Sequence, residues 1–322
     1  MKLIVQIPCL NEEECLPKTL SDIPRHIEGI DKVEILVIDD GSTDRTSQVA
    51  RQQGVQHVVR FTRRKGLARA FKAGLEEALY AGADIIVNID ADGQYKGEDI
   101  PRLVQPILEG KADIVIGNRD IENIKQFSFI KKKLQRIGSR VVRHLSGSTI
   151  LDATTGFRAY NKEAALRLNI ISDYTYTLES VIQAEHKNLA IANITIDTNE
   201  VKRQSRLFKS MPEYIKRSAA TLIRIYSMFN PFRMFLTLGA GFICLGFLIG
   251  CRFLYYYLMG QGAGKIQSLI LAAVLFIIGF QIGIIGLVAD LIAANRRLIE
   301  DILLKIKKIE LAYREKNDAI HE

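Results

Sequence analysis

Ile85-Ile86-Val87-Asn88-Ile89-Asp90-Ala91-Asp92 is a short, nearly continuous apolar run that ends in two carboxylates two residues apart. A run of this length reads as a strand buried on both faces, so the acidic pair falls where that strand leaves its sheet. Carboxylates at such a point suit a hard divalent cation, Mg2+ or Mn2+. Ions of this kind bind through one or two carboxylates together with the phosphates of a substrate. The ligand implied is a nucleotide diphosphate. An Asp-x-Asp in a turn is also ordinary Asx-turn chemistry, so the remainder of the chain has to decide.

Working outward, strand-like runs alternate with helical patterns. Residues 3–7, 33–38, 55–61, 85–89 and 114–117 read as strands. Residues 46–53, 67–80 and 100–108 read as helices, and Leu16, Leu20, Ile23 and Ile27 follow helical spacing. This alternation predicts an α/β fold with a mostly parallel sheet and helices on both faces. Ligands of such sheets bind beyond the carboxyl ends of the strands. The polar clusters at residues 8–14, 39–42 and 90–94 fall there. Neither G-x-G-x-x-G nor G-x-x-x-x-G-K-[ST] occurs in these loops, which argues against a dinucleotide dehydrogenase and a P-loop ATPase.

The 322 residues leave room for such a domain of about 200 residues and a second part. Residues 234–251 carry no charge, and between 269 and 289 the only strongly polar side chain is Gln281. Both stretches can cross a hydrocarbon core of about 30 Å as helices, and the short loop between them suits a hairpin. Arg217, Arg224 and Arg233 precede the first span. Arg296, Arg297, Lys305, Lys307 and Lys308 follow the second, whereas the connecting loop carries only Lys265. A multi-pass protein of the cell membrane is expected, with two spans and with both termini and the large N-terminal part cytoplasmic. The chain opens on a strand pattern without a charged region and long apolar segment behind it, so no signal peptide is expected. The net charge of +8 concentrates next to the spans, which favours an anionic leaflet over nucleic acid as its partner. Cys9, Cys15, Cys244 and Cys251 lack C-x-x-C spacing and read as apolar packing residues in a reducing compartment.

Ile7-Pro8-Cys9-Leu10-Asn11-Glu12-Glu13, Val37-Ile38-Asp39-Asp40-Gly41-Ser42-Thr43-Asp44, the segment 66–74, Asp90-Ala91-Asp92-Gly93-Gln94, Gly117-Asn118-Arg119 and the segment 152–158 resemble, in that order, the family 2 glycosyltransferases of GT-A fold. Within that family the chain is similar to the polyprenyl-phosphate sugar synthases, the group that includes dolichyl-phosphate mannose synthase. The similarity covers residues 1–210. It implies that Pro8, Leu10, Glu12, Ile38 and Asp40 line the nucleobase and ribose, that Asp90, Ala91, Asp92 and Gln94 contact the diphosphate, and that Asp90, Asp92 and Gln94 hold the metal. Arg119 is then the phosphate-pairing cation, and Arg203 and Arg206 belong to a basic loop over the donor. Two positions depart from the family pattern. An aromatic residue is absent at Leu10, and the arginine four residues before a serine is displaced, leaving Arg136 and Arg140 around Ser139 as candidates for the acceptor phosphate.

Residues 131–143 read as an amphipathic basic helix, and residues 211–231 as an interfacial helix leading to the spans at 232–258 and 266–292. In the cytoplasmic tail, 293–322, Ile299, Ile302, Ile306, Ile309 and Tyr313 follow heptad spacing, which permits a short coiled coil. A homo-oligomer is compatible with that pattern. The resemblance implies an inverting transfer of a sugar from GDP-mannose or a UDP-hexose to a polyprenyl or dolichyl phosphate, with Asp92, Arg119 and Asp152 as the catalytic set. One alternative is a processive polysaccharide synthase, which normally carries a Gln/Arg-x-x-Arg-Trp motif, whereas this chain has no tryptophan. A catalytically silent membrane adaptor of the same fold is a second alternative, and retention of the Asp-x-Asp pair argues against it.

Overall fold

The computed structural model describes residues 1–119, 152–172, 175–199, 219–221, 223–224, 226–261 and 264–321. They divide into two compact units, residues 1–221 with 304–322, and residues 222–303.

The first unit is built on β1 (Lys2–Cys9), β2 (Lys32–Asp39), β3 (His57–Arg60), β4 (Ile85–Asn88), β5 (Ile114–Arg119), β6 (Arg158–Asn161) and β7 (Ile191–Ile196). They form one sheet in the order β3-β2-β1-β4-β6-β5-β7. All neighbours pair in parallel except β6, which runs antiparallel to both β4 and β5. The sheet is therefore the mixed sheet of a GT-A-like α/β fold. Leu3, Val5 and Ile7 on one face of β1 and Ile4 on the other are all fully buried, which is why the central strands read as unbroken apolar runs.

Helices α1 (Leu16–Ser21), α2 (Thr46–Gln52), α3 (Leu67–Tyr80), α4 (Ile100–Leu108), α5 (Lys162–Arg167) and α6 (Thr177–His186) flank the sheet. The helical spacing through Ile27 is not followed to its end: α1 stops at Ser21, because Pro24 disfavours a helical conformation for Ile23. Ile23 and Ile27 still reach the core from the loop.

At the end of the sheet remote from the acidic pair, Glu34 is almost buried. It meets Lys2 at 2.8 Å, Lys32 at 2.6 Å and the His57 imidazole at 2.7 Å. Burial alone would raise its pKa, but the bonds from Lys2, Lys32 and His57 outweigh that and hold it at about 2. A carboxylate depressed in the folded state stabilises above its unfolded pKa and loses that contribution as pH falls through the folded value. Glu34→Gln should therefore melt below the parent at pH 7. The gap should close between about pH 4.5 and pH 2, as followed by circular dichroism melts across that range.

The second unit holds α7 (Pro231–Leu258) and most of α8 (Ile266–His321). Both are long and apolar enough to cross a membrane, with mean hydropathy 2.2 and 2.6 in their apolar windows, which supports a multi-span membrane location. They touch through glycines. A Cβ on Gly239 would lie 2.7 Å from the Gly279 carbonyl oxygen, and one on Gly279 would lie 2.6 Å from Ile243 Cγ1, so the two backbones approach as only small residues allow. The stretches read as the second span and the helical tail run on as one continuous helix, α8.

Candidate functional site

The loops that leave β1 and β2 are bonded to each other before any ligand is considered. Asn11, at a left-handed φ of 56°, donates its N–H to Ser42 Oγ at 2.9 Å and accepts the Thr43 N–H on Oδ1 at 2.8 Å. Glu12 N–H donates to Thr46 Oγ1 at 2.9 Å. The turn after β2 requires Gly41, with φ of 75°, because a Cβ there would lie 2.5 Å from the Arg63 carbonyl carbon. Asp39 is consumed by this turn: one oxygen accepts the Ser42 N–H at 2.7 Å and the other the Ser47 hydroxyl. Asp40 accepts the main-chain N–H of Lys65 at 2.6 Å and of Gly66 at 2.9 Å, which fixes the entry to α3. A carboxylate has about four lone-pair positions, so these bonds leave Asp40 capacity for a further donor. Leu10 and Glu12 are partly exposed in the loop, whereas Pro8 and Ile38 are buried in the sheet.

Asp90 leaves β4 and turns toward the loop before β6. A Cβ on Gly156 would lie 2.8 Å from both Asp90 carboxylate oxygens and 3.0 Å from the Tyr176 hydroxyl, so that loop needs glycine to pass. Burial, and after it the Asp92 charge, raise the Asp90 pKa to about 7 against the opposing charges of Arg119 and Arg158. Asp92 is exposed, and its Oδ1 accepts the Gln94 N–H at 3.0 Å, so the Asx turn coexists with the acidic pair. Ala91 is buried, and its carbonyl accepts the Thr19 hydroxyl at 3.1 Å. Among the described residues no group of three or more His, Cys, Asp and Glu could hold a metal as a complete cage. The donor set fits a cation completed by substrate phosphate. Burial and the nearby Asp92 carboxylate make the charged form of Asp90 costly, and a divalent ion would relieve that cost.

Arg119, at the end of β5, pairs with Asp152 from the loop before β6. Nε donates to Oδ2 at 2.7 Å and Nη2 to Oδ1 at 3.2 Å, and Nη2 also donates to Thr154 Oγ1 at 2.8 Å. Both side chains are buried. Burial works against the Asp152 charge, but Arg119 and the Thr154 bonds outweigh it, and the carboxyl is held below its usual range. The Arg119 guanidinium is held above its ordinary value despite burial, because Tyr95, Asp152 and Asp90 favour its charge. Asp152 is thus an ionised carboxylate with both oxygens bonded to Arg119.

Residues to which the sequence reading gave no task hold this arrangement. Arg158 is 1% exposed, and its guanidinium donates to the carbonyls of Thr155, Ala153 and Thr177 at 2.9 Å each and to Ser180 Oγ at 2.7 Å. It ties the loop carrying Asp152 to the start of α6. Asn88 donates to the Gly156 carbonyl at 2.8 Å and to the Tyr176 hydroxyl at 2.9 Å, and accepts from Gln6 Nε2 at 3.0 Å. Tyr176 stacks on Phe71 at 3.7 Å. The available signals were Asn88, a polar residue inside an apolar run, and Arg158, whose charge heads a strand. The structure thus brings Glu12, Asp40, Asp90, Asp92, Gln94, Arg119 and Asp152 to the carboxyl edge of one sheet. Arg136, Ser139, Arg140, Arg203 and Arg206, with the basic helix and the donor loop that carry them, lie outside the described residues.

A family model described as glycosyl transferase family 2 matches residues 4–168. An undecaprenyl-phosphate mannosyltransferase of Micrococcus luteus is 33% identical over 184 residues, 55% of this chain and 74% of the relative. Glycosyltransferase AglJ of Haloferax volcanii is 25% identical over 298 residues, 90% of this chain and 93% of the relative, so that alignment extends through the apolar helices. Among solved structures, glucosyl-3-phosphoglycerate synthase of Mycobacterium tuberculosis, crystallised with Mn2+, UDP and phosphoglyceric acid, superposes with a TM-score of 0.56 at 21% identity. It covers 70% of this chain and 78% of that one, a likeness of fold.

Proposed function

The chain belongs to glycosyl transferase family 2, and from that premise we propose that it is a membrane-anchored, inverting glycosyltransferase that moves one sugar from a nucleotide diphosphate sugar, GDP-mannose or a UDP-hexose, to a polyprenyl phosphate. The observation that carries this reading is the pairing of Asp90 and Asp92 with the buried Arg119 at one sheet edge, in a chain that also carries two apolar helices. The lipid-phosphate acceptor named for the Micrococcus relative supports the acceptor class, and the Mn2+ and UDP described with the mycobacterial synthase agree with the donor class.

In this reading Asp90 and Asp92, with Gln94, hold a Mg2+ or Mn2+ that neutralises charge on the departing diphosphate when bound. Asp40 accepts a base N–H. The Arg119 guanidinium, locked by Asp152 and Thr154, presents a fixed positive charge beside the leaving diphosphate. An acceptor phosphate oxygen forms the new bond to the anomeric carbon as the bond from that carbon to the diphosphate breaks, and the nucleoside diphosphate leaves as an anion. No protein base is required, because a phosphate monoester has its second pKa near 6 and is already ionised. The low pKa of Asp152 supports that economy.

Arg217 and Arg224 before α7, and Arg296, Arg297, Lys305, Lys307 and Lys308 in the later turns of α8, support a cytoplasmic placement of the catalytic domain and both termini. The test is to offer the purified chain a panel of labelled nucleotide sugars with polyprenyl phosphate and to count label in the organic phase. One donor should give a count in the organic phase that requires the lipid phosphate. Label that enters a polymer, or no transfer from any donor, would overturn the reading.

A further inference from the structure

The turn that carries the acidic pair is gripped at its far end from two sides. Tyr95 follows Gln94 and is 2% exposed. Its ring stacks on Phe157 with centroids 5.3 Å apart, and its hydroxyl oxygen accepts the Gly156 N–H at 3.2 Å and the Thr155 hydroxyl at 3.3 Å. From the other side, Asn199 donates its N–H to the Gln94 carbonyl at 2.8 Å and its Nδ2 to the Gly93 carbonyl at 3.1 Å. Thr198, one residue earlier, forms an antiparallel bridge with Tyr95. The bond from the Gln94 N–H to Asp92 Oδ1 shapes the turn internally, but it does not place the turn against the loop before β6.

We propose that Tyr95 is a positioning residue that sets the gap between the Asp90 and Asp92 carboxylates, with Asn199 as the outer brace of the same turn. Tyr95 is bonded to both halves of the pair. Its main chain continues the turn of Asp92 and Gln94, and its hydroxyl holds the peptide against which Asp90 packs, where a Cβ on Gly156 would lie 2.8 Å from both Asp90 oxygens. The carbonyl of Gly156 is fixed as well, by Asn88 at 2.8 Å, so only the N–H side of that residue depends on Tyr95. Packing on Phe157 needs the ring alone, which leaves the hydroxyl to this task. The role rests on the proposed metal site, and it is exerted through the two carboxylates. Mg2+ demands near-ideal octahedral geometry, so a pair of carboxylates serves it only at a fixed separation. Groups that orient metal-binding side chains are typically worth roughly 10–100-fold in metal affinity.

Mn2+ binding to the full chain, read from the electron paramagnetic resonance signal of the free ion with UDP and in parallel with GDP, tests this without turnover. Tyr95→Phe keeps the ring on Phe157 but leaves the buried Gly156 N–H without its acceptor, and should raise the Mn2+ dissociation constant by roughly 10–100-fold. Tyr160→Phe removes another fully buried phenol hydroxyl and should leave that constant at the parent value, which a general loss of core stability would not. Because Tyr95→Phe could fail to fold, Asn199→Ala at a partly exposed position gives an independent measure, and it should weaken Mn2+ binding in the same direction. Asp92→Asn is the reference. If it binds Mn2+ as the parent does, the metal site is misassigned and the positioning role falls with it. Weakened binding in Asp92→Asn beside parent-like binding in Tyr95→Phe and Asn199→Ala would overturn the positioning role alone, as would equal losses in Tyr95→Phe and Tyr160→Phe.

Discussion

Asp92→Asn is expected to lower turnover by a factor on the order of 10² or more while leaving the melting temperature of the first unit unchanged. The two effects separate because Asp92 does two things. Its Oδ1 accepts the Gln94 N–H at 3.0 Å, and an Asn carbonyl oxygen in the same place can accept the same bond, so the turn after β4 survives. The negative charge beside Asp90, which the proposed metal would need, does not survive. If the side chain served only the turn, Asn would be nearly neutral in both measurements. Chelation of the parent should give a similar loss, and Mn2+ added back should rescue the parent at lower concentration than the variant. Label transfer at a series of metal concentrations, run beside a melting curve, decides between the roles. Full activity of Asp92→Asn in metal-free buffer would remove the acidic pair from the mechanism.

The central half of the sheet could be read from residues because its signals are local. Strands buried on both faces, such as β1, β2 and β4, show as continuous apolar runs, and α3 spans the same residues that its periodicity predicts. Strand β6 could not be read that way. Arg158–Asn161 is four residues of mixed polarity, and its place between β4 and β5 comes from pairing with distant partners, such as Ile86 with Tyr160. The same division holds in the site. Asp90 and Asp92 were legible because both lie on one turn, whereas the pairing of Arg119 with Asp152 joins residues 33 positions apart. Asp40 was read from its motif as free to meet a base, and its bonds to the Lys65 and Gly66 N–H groups emerge only when β2 and α3 are placed side by side. Arg158 was quoted within a motif but given no task, since a guanidinium whose bonds mostly end on main-chain carbonyls has no signature in side-chain spacing.

Asp152→Ala is expected to cost about 3–5 kcal/mol of stability, because it strands a buried guanidinium. Arg119 would keep its bond to Thr154 Oγ1 but lose both carboxylate bonds, and at 7% side-chain exposure it has little access to compensating water. The double variant Arg119→Met/Asp152→Ala should recover part of that loss, since a missing pair is less costly than a single uncompensated charge. Activity separates the pair's two roles. If Arg119 meets the diphosphate as proposed, Arg119→Met alone should depress transfer even in protein that stays folded, because that fixed charge is gone while Asp152 remains. The pH dependence follows from the same geometry. The folded pKa of Asp152 lies below the ordinary carboxylate range, so its contribution to stability is present above about pH 4 and is lost only as pH falls through that lower value. At saturating donor and metal, the rate should rise through about pH 6 with the acceptor phosphate and then stay level, with no limb belonging to Asp152. A group of apparent pKa near 8 that disappears in Asp152→Asn would show a protein base at work. A double variant no more stable than Asp152→Ala would show that the cost came from the loop rather than from the stranded charge.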